Sequence, residues 1–243
     1  MTVRNATPVI DLFAGPGGLC EGFSSVKDEE GNPRFAVKIS IEKDPVAHRT
    51  LHLRALFRKF PKGKAPEIYY QYIRGEVKRE EFLAHPGIKE AVEVAAQEAQ
   101  CAELGLTPHE VVDEWISAAL GKQKNWVLIG GPPCQAYSLA GRSRLRGKSA
   151  KEQQAFESDK RHFLYTEYLR IIQRFEPSVF VMENVKGMLN STHGDKLEPR
   201  DYVIQSENFG IPQCRHRVIL FGIRSDVVVK TPPGSRPIHA CSC

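Results

Sequence analysis

Short apolar runs that stop abruptly at glycine, proline or an acidic residue set the rhythm of this chain. Pro8 to Phe13 is apolar and runs straight into glycines, which predicts a buried strand opening into a turn. Gly18 to Ser25 predicts a helix start. Phe35 to Ile41 alternates, predicting a second strand that ends at Glu42. Asp44 is placed to cap a helix that carries Val46, Leu51 and Leu53 and reaches about Phe57. Strand, turn, helix, strand, helix is the order of an α/β fold with a parallel sheet.

Residues 59–124 break that rhythm. Lys59 to Pro66 is basic and proline-punctuated, a loop. Ile88, Val92, Ala95, Ala96, Ala99 and Ala102 recur at helical spacing. Thr107 and Pro108 predict an N-cap and a first-turn proline for a helix ending near Leu120. The whole stretch is expected to be a helical insertion within one domain. The α/β rhythm then resumes with a strand at Trp126 to Ile129, feeding a glycine-proline-cysteine turn. Gly141 to Ser158 is polar and predicts a loop, and Asp159 to Phe175 an amphipathic helix. Val179 to Met182 predicts a strand ending at Glu183. Tyr202 to Ser206 and Val218 to Ile223 predict two more. The tail from Thr231 carries prolines and is expected to be poorly ordered.

Composition narrows the picture modestly. The 243 residues, 41% hydrophobic, suffice for one sizeable core. A net charge of +5 permits a polyanionic partner without requiring one. The six cysteines show neither Cys-x-x-Cys zinc spacing nor a disulfide framework. No signal-peptide pattern or bilayer-length apolar run occurs in the sequence, so a cytoplasmic setting with reduced thiols is expected.

In an open parallel sheet, ligands sit beyond the carboxyl ends of the strands. Four such ends carry distinctive residues. Asp11-Leu12-Phe13-Ala14-Gly15-Pro16-Gly17-Gly18 is a tight glycine turn before a helix, suited to a nucleotide-like ligand. Glu42, ending the next strand, is placed to accept hydrogen bonds from ribose hydroxyls. These two fit a dinucleotide or a methyl-donor site, although the Gly-x-Gly-x-x-Gly spacing is absent. Gly130-Gly131-Pro132-Pro133-Cys134 holds a thiol on a stiff turn, a candidate nucleophile where positive charge or a helix dipole favours the thiolate. The alternative is a buried, inert cysteine. Glu183, in Glu183-Asn184-Val185, is a candidate proton donor to a ring nitrogen, or else a carboxylate capping its turn. Arg215 and Arg217 enter a strand at alternate positions, facing one side or forming a solvated basic edge.

Together and in this order, these four pieces resemble the DNA (cytosine-5)-methyltransferases. The resemblance covers most of residues 8–58 and 125–224. It implies a doubly wound, Rossmann-like S-adenosylmethionine-dependent methyltransferase fold with a helical insertion. It implies that Phe13, Gly15, Pro16 and Gly18 line the cofactor pocket, Glu42 holds the ribose, and Pro133 and Leu164 complete the wall. The family's acidic residue near the adenine maps onto Glu76, in Gly75-Glu76-Val77. Cys134 would attack carbon 6 of a cytosine flipped out of double-stranded DNA. Glu183 would act on ring nitrogen 3, Arg217 would hold oxygen 2 and Arg215 would support the site. Arg142, Arg144, Arg146, Lys148 and Lys151 of the polar loop would meet phosphates.

The chain departs from the family pattern in three places. It stops soon after Ile223, the segment from Gly187 to Asn208 is short, and 59–124 is long. The expectation is a catalytic domain incomplete at the C-terminus, completed by a target-recognition region or by a second chain. A restriction-modification setting and a solitary enzyme both fit. Three other readings stay open. A tRNA cytosine methyltransferase of the same fold usually carries Cys-x-x-x-Thr, where this chain has Ser138. A non-catalytic remnant or accessory subunit would leave Cys134, Glu183 and Arg217 unexplained. An NAD-dependent oxidoreductase is supported only by the glycine turn.

Overall fold

A computed structural model describes residues 6–133, 163–186 and 203–227. Strand β1 (Thr7–Leu12) leads through the glycine turn into α1 (Gly18–Ser25). Strand β2 (Phe35–Glu42) is followed by α2 (Pro45–Phe57). Asp44 caps α2 as expected: its Oδ1 accepts from the backbone N–H of Val46 at 2.9 Å and of Ala47 at 2.7 Å. Three short elements follow: α3 (Glu67–Ile73), α4 (Arg79–Ala84) and a 3-10 turn at Pro86–Ile88. Then come α5 (Lys89–Glu98), β3 (Ala99–Cys101), α6 (His109–Leu120) and β4 (Val127–Gly130). The described chain closes with α7 (Phe163–Phe175), β5 (Val179–Asn184), β6 (Val203–Gln205) and β7 (His216–Ile223).

The described strands form one sheet in the order β3-β2-β1-β4-β5-β7-β6. β1 to β5 run parallel, and β7 enters antiparallel to both β5 and β6. Alternation along β1 assigns the two faces. Ile10 and Leu12 pack against Val112, Ile116 and Leu120 of α6 and Tyr168 and Ile171 of α7. Val9 points the other way, to Cys20 of α1, Leu51, Ala55 and Leu56 of α2 and Ala95 of α5. Helices therefore cover both faces, giving the doubly wound, Rossmann-like methyltransferase architecture expected from the sequence. Each fully buried leucine or isoleucine contributes roughly 1.5–3 kcal/mol relative to exposure.

The stretch 59–124 does hold four helices, but it also carries a strand of the sheet. Ser40, Ile41 and Glu42 pair in parallel with Ala99, Gln100 and Cys101. The helical spacing therefore stops at Glu98, and Ala99 and Ala102 belong to β3 and the turn beyond it. Pro108, not Thr107, occupies the N-cap of α6, and no side chain caps it.

Candidate active site

The strand order reverses between β1 and β4, which makes the carboxyl ends of these two strands the topological switch point. The chain turns sharply there. Phe13 takes a left-handed φ of 56°, uncommon for a side chain of its size, and Gly15 and Gly17 have φ of 56° and 88°. A Cβ at Gly17 would sit 2.9 Å from Leu51 Cδ1, so position 17 needs glycine on both conformational and steric grounds. At β4, a Cβ on Gly130 would lie 2.5 Å from the Leu12 carbonyl oxygen. Glycine there lets β1 and β4 approach closely beneath the site.

A cleft partly open to solvent lies at this switch point. Phe13, Ile41, Glu42, Lys43, Ala102, Leu104, Gly131, Pro133 and Leu164 line it, drawn from the ends of β1 to β4 and from α7. Four of the residues singled out in the sequence, Phe13, Glu42, Pro133 and Leu164, thus meet in one cavity. Gly15 and Pro16 form the adjoining turn, and Gly18 opens α1. Glu42 ties the rim together: its Oε2 accepts the Gly15 N–H and its Oε1 the Asp44 N–H, both at 2.7 Å. Each carboxylate oxygen keeps a further lone pair for a ligand hydroxyl. An aromatic ring, apolar walls from Ile41, Leu104 and Leu164, and one carboxylate suit a nucleoside-containing ligand.

Glu76 is not brought to this cleft. It sits exposed beyond α3, paired with Arg74, whose Nε donates to its Oε1 at 2.5 Å. Its carboxyl pKa is lowered chiefly by that hydrogen bond. The acidic residue that follows β3 is instead Glu103, between the cleft residues Ala102 and Leu104. Glu103 Oε1 accepts from Lys43, another cleft residue, at 3.0 Å. Sequence reasoning missed Glu103 because β3 is only three residues long and hides in a helical pattern.

On the opposite rim, Glu183 is the penultimate residue of β5, beside β4. Its Oε2 lies 3.0 Å from where a Gly131 Cβ would be, and its Oε1 meets Arg217 Nε at 2.8 Å. Glu183 and Arg217 are each only partly exposed, at 27% and 28% of their side chains. Asn184 anchors the β4 turn by donating to the Pro132 carbonyl at 3.3 Å. Arg217 also donates to the His216 carbonyl at 2.8 Å. Arg215 precedes β7 and is exposed, so the ion pair with Glu183 is made by Arg217. His216 sits between Lys186, at 2.5 Å from its Nδ1, and Glu207, at 2.6 Å from its Nε2. Cys134 and the polar loop 141–158 lie outside the described residues, as do the tail from Thr231 and most of the Gly187 to Asn208 segment. Pro133, next to Cys134, lines the cleft.

A polar group lies beneath the glycine turn. Arg58 bridges Glu21 of α1 and the buried Glu98 of α5, the second at 2.5 Å, and Lys59 also pairs with Glu98. Burial pushes the Asp11 carboxyl on β1 up to about 7, against the opposing pull of Cys20 and Arg58. Among the described residues, no group of three or more histidine, cysteine, aspartate or glutamate side chains could hold a metal ion. No described helix is long and apolar enough to cross a membrane.

Comparison with known proteins meets this geometry. The family model described as C-5 cytosine-specific DNA methylase matches residues 109–240. The type II methyltransferase M.Bpa9945I of Bacillus paralicheniformis is 29% identical, over 92% of this chain and 55% of its own. M.AquIA of Picosynechococcus is 27% identical, over 96% of this chain and 77% of its own. M.XorII of Xanthomonas oryzae pv. oryzae is 27% identical, over 92% of this chain and 42% of its own. The chain thus spans about half the length of the first and last of these relatives. With more than half of its residues matched by that model and its sheet built to the expected plan, the chain belongs to the C-5 cytosine-specific DNA methylase family.

Proposed function

We propose that this chain carries the catalytic machinery for transferring a methyl group from S-adenosylmethionine to carbon 5 of cytosine in double-stranded DNA. The observation that carries the reading is the meeting, at one switch point, of the Phe13–Glu42–Pro133–Leu164 cleft and the Glu183–Arg217 pair. The first is chemically suited to a nucleoside-containing methyl donor, and the second to the polar edge of a pyrimidine.

S-adenosylmethionine, when bound, supplies the electrophilic methyl group. Phe13 offers its ring to the donor, Glu42 accepts from its ribose hydroxyls, and Glu103 takes the role that the resemblance implied for Glu76. The target cytosine is flipped from the duplex to reach the rim. Cys134 attacks carbon 6 as a thiolate and forms a carbon–sulfur bond. Arg217 holds Glu183 through Oε1, and Oε2, which no ion pair among the described residues engages, gives or shares a proton at ring nitrogen 3. Arg217 also holds oxygen 2, with Arg215 nearby on the exposed side. Carbon 5 becomes nucleophilic and accepts the methyl group. Loss of its proton then expels Cys134 and restores the ring. Base-specific contacts come from a target-recognition region or a complementing chain.

Tritiated S-adenosylmethionine offered with duplex DNA or tRNA tests the substrate assignment. The expected result is label in cytosine of the duplex. Label in tRNA alone would shift the reading to the tRNA branch of the same fold. Label in neither would favour an accessory role.

A further inference from the structure

Three side chains beneath the glycine turn have no task in the chemistry above. Asp11 is fully buried on β1, and neither carboxyl oxygen has a hydrogen-bond partner among the described residues. Ser40, its register partner on β2, is equally buried, and its hydroxyl is also unpartnered. Cys20 of α1 completes the group. Its thiol donates to the Gly17 carbonyl at 3.3 Å, and a Cβ on Gly17 would lie 3.2 Å from its sulfur. Cys20 therefore grips the glycine turn from below, and both Asp11 and Ser40 act on the Cys20 thiol.

A buried carboxylate whose contacts fall short of full hydrogen bonds is costly, whereas the neutral acid carries an O–H that can be shared with Cys20 or Ser40. We propose that Asp11, Ser40 and Cys20 form a buried relay that positions the Gly15–Gly17 turn, and that the turn binds the methyl donor while Asp11 is neutral. The inference rests on reading the cleft as the S-adenosylmethionine pocket. With Asp11 neutral, the Cys20 S–H stays on the Gly17 carbonyl. With Asp11 ionised, the Cys20 S–H and the Ser40 O–H are both available donors to a charged acceptor, and a charge-assisted bond is the stronger one. The thiol turns away, and Gly17 loses its hold.

The surroundings make Asp11 the responsive member. Burial raises it to about 7, Glu42 adds to the rise, and Cys20 and Arg58 oppose it. Burial pushes the Cys20 thiol up to about 12, so it keeps its proton. Arg58, beside Glu98 and Glu21, is held more strongly charged than usual. Tyr168, from α7, is also raised above its ordinary range, so it stays neutral. Of these groups, Asp11 changes charge near neutral pH.

Calorimetric titration with S-adenosylmethionine across pH tests the relay. If only the neutral form binds, wild-type affinity falls about tenfold from pH 6 to about pH 8, in proportion to the neutral fraction. Asp11→Asn, permanently neutral, is expected to show no such fall. Cys20→Ser keeps a donor to Gly17 and is expected to follow the wild type, whereas Cys20→Ala binds weakly at every pH. Should Asp11→Asn fail to fold, the serine and alanine variants carry the test alone, and identical behaviour of the two overturns the relay. Coincident wild-type and Asp11→Asn profiles, with binding at pH 6, overturn the relay but spare the pocket. Absence of binding at every pH in all proteins overturns the donor-pocket reading and the relay with it.

Discussion

Replacing Asp11 by asparagine exposes the cost of keeping this carboxyl inside the sheet. The folded chain raises Asp11 from its ordinary 3.8 to about 7, mainly through burial. Between those values the folded chain holds a proton that the unfolded chain has released, so stability falls as pH rises and levels off above the folded pKa. At about 1.36 kcal/mol per unit, the penalty is roughly 2 kcal/mol at pH 5 and roughly 4 kcal/mol at pH 8. Asparagine has nearly the same shape and no such titration. The difference in unfolding free energy between Asp11→Asn and wild type is therefore expected to move by roughly 2–3 kcal/mol in favour of the variant from pH 5 to pH 8. Urea denaturation of both proteins at those pH values measures it. A difference constant to within about 0.5 kcal/mol would refute the reasoning, because it would mean that Asp11 titrates as it does in the unfolded chain.

Other perturbations follow from the same geometry. Gly17→Ala forces a side chain to φ 88° and against Leu51, and is expected to cost at least about 1–2 kcal/mol in thermal denaturation. Glu98→Gln leaves Arg58 and Lys59 without their buried partner, and is expected to lower stability in urea by about 3 kcal/mol at pH 7. Glu183→Gln keeps shape but removes the proton donor. Methyl transfer is expected to fall roughly 10²- to 10⁴-fold while S-adenosylmethionine binding by calorimetry stays within about twofold. Glu103→Ala is expected to weaken that binding clearly more than Glu76→Ala does, and equal effects would remove Glu103 from the pocket.

Most of the fold was legible because its apolar runs end in unmistakable punctuation. Phe13, Glu42, Pro133 and Leu164, grouped by the family resemblance, line one cleft at the strand ends. What escaped was short or set by tertiary contact. β3 pairs only three residues with β2, and Ala99 and Ala102 continue the spacing of α5, so periodicity could not separate them. The choice of Glu76 followed from that: without β3, Gly75-Glu76-Val77 was the nearest match, and Glu103 had no strand to follow. The burial of Asp11 was also invisible, since an aspartate opening a glycine turn reads as a rim residue. Its place on the face shared by α1 and α2 depends on helices that pack over it from elsewhere in the chain.

The most direct test of the central claim is covalent trapping on duplex DNA that carries 5-fluorocytosine, with S-adenosylmethionine present. Fluorine at carbon 5 cannot leave as a proton does, so the enzyme stays attached to the base. A stable protein–DNA adduct is expected, with the linkage mapped to Cys134 and the adduct lost in Cys134→Ala. A methyl-transferring protein that forms no adduct, or one linked through another residue, would contradict it.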